Sequence, residues 1–356
     1  PAENGQFMLF LVAVIKAVDE YQDLLRLSVA SAGNDHRLGG NEAPPAIVSM
    51  FIGDELAEIL DALEKDKTYK GRGKGVIKLG VEALPELPKD TTDRNRTSPF
   101  AFTGNKFEFR MLGSAFSIAG PNIMINTAVA DVLRGFADEL EGAKDFNAAL
   151  HDLVARTVKE HKRIIFNGNN YTEEWTKEAH RRGLSDLRSC ADALPHFADQ
   201  KNLDLFARTK VFTEREVRSR MEIMLDNYCK VLTIEALTMI EMGRKLIYPA
   251  VDEYLSELCA AAYCKEQMGV SAACDRALIS KLSADNDALY RCAAEIENLL
   301  AQSKEAGDAE HTARFFADKI IPVMREMRAN ADEMEQNTAK KYWPFPTYGD
   351  ILFSVS

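Results

Sequence analysis

The chain has 356 residues, 46% hydrophobic and 28% charged, which excludes a disordered tail or a fibre and leaves enough chain for two domains, or one large domain with an extension. Its 44 Lys and Arg against 55 Asp and Glu give a formal net charge of -11, which argues against a general nucleic-acid footprint and makes any anion recognition local. The six cysteines form no C-x-x-C pair, so zinc and redox motifs have no support, and we read them as reduced, mostly buried thiols of a cytoplasmic protein.

The chain opens at Pro1 without a methionine and runs at once into an apolar helical pattern of Phe7, Phe10, Leu11, Val14, Ile15 and Val18, a start that points to missing upstream chain. Lys16 interrupts this stretch after too few residues to cross a bilayer, which needs about 20, so no membrane span is expected. Residues 3–30 predict one amphipathic helix, and Gly33 to Pro45, dense in glycine, Asn and charge, predicts a loop that places side chains. Ala46 to Ile52 reads as a strand, with Asp54 capping a helix from Glu55 to about Lys65.

Lys65 to Gly75 is a basic, glycine-spaced loop that misses the phosphate-loop template, so a solvated mobile loop is the better reading than a nucleotide cradle. Val76 to Leu84 predicts a strand. Arg94 and Arg96 sit two apart, so on a strand they share a face; they are either an anion contact or a solvated pair. In Lys106-Phe107-Glu108-Phe109-Arg110, polar and aromatic residues alternate strictly. Its charged face is either an ordinary solvated sheet surface or the floor of a site holding a metal and an anionic substrate.

From Gly120 the pattern is helical, with Pro121 at a helix start and a second run from Phe146 to Lys162. Phe166 to Tyr171 is a loop, and Asp186 to Ala193 a short helix closed by Leu194-Pro195. His180 and His196 are isolated in sequence and default to ordinary surface or satisfied histidines. Glu214 to about Gln267 predicts a long helical region bent near Pro249. The three-four spacing of Leu278, Leu282, Leu289, Ala293, Ile296 and Leu300, repeated by Phe316, Ile320, Val323, Met327, Ala331 and Met334, predicts an antiparallel hairpin, and Trp343 to Phe353 an extended apolar tail.

These residues also carry a resemblance. Asn34 to Pro44 resembles the N-x-x-K-R-L…E-A-P loop of glutamine synthetases, Asn95-Arg96-Thr97-Ser98 their N-R-S-A segment, and Lys106 to Arg110 their R-I-E-V-R strand, in the same order. The wording around them, with the closing Pro346-Thr347-Tyr348, is similar to the type III branch, and the resemblance covers nearly the whole chain. At the position of a second arginine in other branches stands Ala101.

The resemblance implies an α+β fold: part of a glutamine synthetase catalytic-domain (guanido-kinase-like) antiparallel sheet over residues 1–213, then a mainly helical extension over 214–356, the whole being the C-terminal half of a longer chain. It implies ATP-dependent joining of glutamate and ammonia through γ-glutamyl phosphate, with Mg2+ or Mn2+, in a cytoplasmic homo-oligomer built as a double-ring dodecamer. By the same resemblance Arg37 and Arg110 bind substrate, Arg96 stabilises the transferring phosphate, Lys106 lines the nucleotide side, Glu108 is a metal ligand, and Glu42 sits on a flap that helps take the proton from ammonium. The segment alone is expected to be inactive. The rivals are a non-catalytic helical scaffold in which residues 214–341 do the work, and a γ-glutamyl-amine ligase of the same fold.

Overall fold

The structure is a computed structural model that describes residues 4–40, 43–65, 76–77, 87–88 and 96–353. Glu42, Arg94 and the Gly71 to Gly75 loop lie outside the described residues. The chain divides into two compact units, Pro1–Met224 and Leu225–Ser356.

In the first unit, α1 (Gly5–Glu20) starts where the Asn4 side chain accepts from the Phe7 amide, and buries Leu11, Val12, Ile15 and Val18. The single helix expected over residues 3–30 is interrupted at Tyr21, whose backbone leaves helical geometry, and α2 (Gln22–Leu27) follows. Asp19, beside this break, is buried and held by His161 Nδ1 (2.9 Å) and Arg163 Nε (2.7 Å). The stretch expected to be loop from Gly33 begins instead as α3 (Ala32–Arg37), because the Ser31 side chain accepts from the Asn34 amide and caps a turn the composition alone does not favour. Gly53, with φ of +80°, precedes α4 (Asp54–Glu64); it, and not Asp54, is the N-cap, and Asp54 falls in the first turn, where a negative charge suits the helix dipole.

The strands are short: β1 (Met50–Phe51), β2 (Val76–Ile77), β3 (Leu87–Pro88), β4 (Phe100–Phe102) and β5 (Phe107–Phe109). Of the strand expected over 76–84, only Val76–Ile77 is described, paired antiparallel with β3. The main sheet has the order β1-β4-β5. β4 and β5 pair antiparallel as expected, with Phe100 opposite Phe109, Ala101 opposite Glu108 and Phe102 opposite Phe107. β1 and β4 pair parallel, which departs from the all-antiparallel expectation; α4 lies on the crossover that a parallel pair requires.

Five helices follow: α5 (Ala119–Leu140), α6 (Phe146–His161), α7 (Glu173–Arg181), α8 (Cys190–Ala193) and α9 (Gln200–Thr209). The helix expected from Asp186 starts only at Cys190, where Ser189 and Asp192 form a reciprocal capping box. α1, α5 and α6 pack together into the main hydrophobic layer of this unit.

α10 (Glu214–Met242) runs across the boundary between the units. In the second unit a π-helical turn, Gly243–Ile247, leads into α11 (Tyr248–Gln267), with Pro249 in the first turn of that helix. The irregularity expected at Pro249 is therefore taken up just before it, where its missing N–H and ring disturb the helical ladder. α12 (Ala273–Ser303), α13 (Ala309–Phe315), a second π turn at Phe316–Ile320 and α14 (Ile321–Asn337) complete the bundle. Lys281 pairs with Glu333 and Arg291 with Glu326, so α12 and α14 are antiparallel; of the expected stripe Leu282, Leu289, Ala293, Ile296, Phe316, Ile320, Val323, Met327 and Met334 are buried, whereas Leu278, Leu300 and Ala331 are half-buried. Leu289→Ala or Ile296→Ala, each removing a fully buried side chain, is expected to cost about 2–5 kcal/mol in urea unfolding.

The tail is not extended throughout. Thr347 and Asp350 exchange hydrogen bonds and start a short helix, α15 (Tyr348–Phe353), whose Ile351, Leu352 and Phe353 are exposed. All six cysteines are free, but Cys259, Cys264 and Cys274 are exposed, so only half are buried.

Candidate active site

β5 keeps the alternation of its sequence. On one side Phe107 and Phe109 pack against Phe100, with ring centroids 5.7 and 5.9 Å away, and Phe102 joins Phe107 at 5.1 Å and Phe7 of α1 at 5.9 Å. The strand is thereby fixed by its apolar face, which leaves Lys106, Glu108 and Arg110 on the other.

The Glu108 carboxylate is the centre of that charged face. Oε2 accepts from Arg110 Nη2 (2.7 Å) and Nε (3.1 Å), and Oε1 faces Lys106 Nζ (3.2 Å) and accepts from the Thr103 hydroxyl (3.0 Å). The Arg110 hydrogen bonds, then those of Lys106 and Thr103, hold its carboxyl down at about 2, so it stays ionised throughout the neutral range. Ala101, its cross-strand neighbour, is fully buried in the central strand, so no cation faces Glu108 from β4.

Arg37, the last residue of α3, reaches the end of the same strand. Its Nη2 donates to the Met111 carbonyl (2.6 Å), just past Arg110, and its Nε to Asn34 Oδ1 (2.9 Å). Asn34 is buried and donates to the carbonyls of Val29 (2.8 Å) and Met111 (3.0 Å), so it sets both the helix and the arginine. Behind them the buried Arg26 donates to Asp35 Oδ1 (2.8 Å), and the Cys190 amide to Asp35 Oδ2 (2.6 Å). Burial pushes the Asp35 carboxyl above its usual range, and Arg26 opposes that shift.

Arg96 is exposed in the bend that leads to Pro99, whose carbonyl accepts from the Arg110 amide (2.8 Å). The structure thus joins Lys106, Glu108 and Arg110 along β5, sets Arg37 on the backbone just past that strand and places Arg96 on the neighbouring loop; Glu42 lies outside the described residues. Asn34, which orients Arg37, was not singled out by pattern, since an asparagine in a stretch rich in Gly, Asn and charge looks in sequence like any turn former.

A half-exposed, fully ionised carboxylate suits a hard divalent cation such as Mg2+ or Mn2+, but one carboxylate supplies a fraction of an octahedral shell. Glu108 therefore fits as one ligand of several. Elsewhere among the described residues, ligand atoms of Asp23, His196 and Asp199 lie within 4.8 Å of one another. The Asp23 oxygens already accept from Lys201 Nζ and Asn202 Nδ2 (both 2.8 Å), and His196 Nδ1 pairs with Asp199 (2.7 Å), so these charges are met without an ion. His180 likewise pairs with Asp186 (3.1 Å).

Residues 149–266 match the family described as the glutamine synthetase C-terminal domain, so the chain carries a domain of that class. Over its full length it is 41% identical to the glutamine synthetase of Butyrivibrio fibrisolvens and, over 99% of its length, 36% identical to the type-3 glutamine synthetase of Dictyostelium discoideum and 34% to a glutamine synthetase of Bacteroides fragilis. The chain is a relative of the glutamine synthetases, the type-3 enzyme among them. It spans about half the length of these curated relatives: 51%, 49% and 50%. Among the described residues no helix is long and apolar enough to cross a membrane.

Proposed function

We propose that this chain is the C-terminal half of a glutamine synthetase of the type III branch, a ligase that forms glutamine from glutamate and ammonia at the expense of ATP. The observation that carries this reading is the Glu108 carboxylate held between Arg110 and Lys106, with the Arg37 guanidinium seated on the Met111 carbonyl just past the strand. An arginine and a lysine on one ionised carboxylate, with a second arginine on the backbone just past the strand, suit a reaction in which anions must be gripped and a carboxylate activated.

The γ-carboxylate oxygen of glutamate attacks the terminal phosphorus of ATP, and ADP leaves. Ammonia then adds to the acyl carbon, its nitrogen gives up a proton, and phosphate departs. Arg37 holds the substrate glutamate's carboxylate, Arg110 turns its fork from Glu108 to substrate carboxylate or phosphate, and Arg96 stabilises the phosphoryl group in transfer. Lys106 lines the nucleotide side, and Glu42 closes over the acyl phosphate and helps take the proton from ammonium. Glu108 holds one Mg2+ or Mn2+, which supplies charge neutralisation for phosphoryl transfer.

In this reading the sheet is part of the guanido-kinase-like catalytic sheet, divided from the helical extension at residue 214, and the complete protein is a cytoplasmic double-ring dodecamer. The remaining metal ligands lie upstream of this chain, so the 356-residue segment is inactive alone. An assay of γ-glutamyl transfer and ATP-dependent glutamine formation by the purified segment and by the full-length protein tests this. Turnover only in the full-length protein is expected; turnover by the segment contradicts the division of ligands, and none in either contradicts the function.

A further inference from the structure

The loop Phe166 to Tyr171 makes more contacts with the sheet than a connector needs. The Phe166 amide donates to the Met50 carbonyl (2.8 Å), and Asn167 Oδ1 accepts from the amides of Ile52 (3.1 Å) and Gly53 (3.2 Å), so the segment lies along β1. Phe166 is clamped on its other side by Trp175, stacked 4.0 Å away, and a Cβ on Gly168 would come within 2.5 Å of the Phe166 ring. The start of the loop is therefore held against β1 and Trp175 by both hydrogen bonds and packing.

What it carries is Asn170, a residue with no solvent exposure. Its Nδ2 donates to Ser49 Oγ (2.8 Å), also fully buried, and its amide donates to Thr97 Oγ1 (3.1 Å). The Thr97 hydroxyl in turn lies within donating distance of Asn170 Oδ1 and the Gly168 carbonyl (both 3.4 Å). Ser98, the next residue, is buried and donates to the Phe100 carbonyl (2.8 Å). The backbone immediately after Arg96 is thus tied to Ser49, just ahead of β1, through one buried asparagine and one hydroxyl, whereas the arginine itself stays exposed.

We propose that Asn170 is a positioning residue that, through the Thr97 hydroxyl, fixes where the Arg96 guanidinium meets the transferring phosphate. This rests on the role given to Arg96 above. Burying an asparagine is worthwhile only if its polar atoms are met, and here the partners that meet them are the strand on one side and the arginine loop on the other. A guanidinium displaced by about 1 Å loses much of its hold on a transition state, up to about 100-fold in rate.

The test is kinetic, in the full-length protein, with Thr97→Val, Thr97→Ser, Asn170→Ala and Arg96→Lys. Thr97→Val, at a half-exposed position where folding is retained, is expected to lower kcat about tenfold with KM for glutamate changed less than about twofold; Thr97→Ser, which keeps the hydroxyl, restores kcat. Asn170→Ala is expected to reproduce the kcat loss. In the Arg96→Lys background Thr97→Val costs less than about threefold, because the group it positions is already altered. Equal losses in both backgrounds, an unchanged kcat in Thr97→Val, or failure of Thr97→Ser to restore it would overturn the positioning role. An unchanged kcat in Arg96→Lys would instead overturn the role of Arg96 itself.

Discussion

Glu108→Gln in the full-length protein is expected to lower glutamine formation by about 1,000-fold or more while leaving the unfolding midpoint nearly unchanged. Glutamine keeps the size of the side chain and an acceptor for the Thr103 hydroxyl, but removes the charge that Arg110 and Lys106 face. Because the carboxylate is part-exposed, its ion pairs contribute little to folding and their loss costs little. The effect therefore separates chemistry from stability. Steady-state assay with circular dichroism melting checks it, and a variant with near-normal turnover would return Lys106, Glu108 and Arg110 to the status of an ordinary solvated strand face.

Arg26→Ala is expected to have the opposite signature, a large loss of stability in the first unit, about 3–5 kcal/mol, since it leaves the buried Asp35 carboxylate without its cation. Burial already raises the Asp35 carboxyl above its usual range, and Arg26 pulls it down; without the guanidinium it rises further. A carboxyl whose folded value lies above its unfolded value penalises the fold when ionised, and the penalty disappears as pH falls below the unfolded value. The difference between Arg26→Ala and the parent in urea unfolding should therefore shrink as pH falls from neutral toward the unfolded carboxyl value of about 4; a difference independent of pH would show that Asp35 is not the group left stranded. Because Asp35 and Arg37 share α3, the same change should loosen Arg37 and weaken glutamate binding.

The parts of this arrangement that were legible in the sequence are those set by local periodicity. The charged face of β5 follows from strict alternation, and the α12 and α14 hairpin from three-four spacing of Leu, Ile and Met. The parts that were not legible depend on partners distant in the chain. α3 is built from Gly, Asn and Asp, and holds because Ser31 caps it and Asn34 bonds to Val29 and Met111. The parallel pairing of β1 with β4 depends on the crossover, which short apolar runs do not announce. Asn170 sits in a run of asparagines that reads as turn chemistry, and only its burial against Ser49 and Thr97 distinguishes it from its neighbours. The proposed roles of Arg37, Arg96 and Glu108 rest on resemblance, since pattern alone favours a solvated face over a site for the strand.

The most direct measurement of the central claim follows oxygen. The full-length protein is supplied with ATP, ammonia and glutamate carrying 18O in its γ-carboxylate, and the inorganic phosphate released is analysed by mass spectrometry. Transfer of one labelled oxygen to phosphate for each glutamine formed is the predicted result, because the acyl phosphate gives up its bridging oxygen with the leaving group. Glutamine formed with unlabelled phosphate, or ATP cleaved with no glutamine formed, would contradict the account.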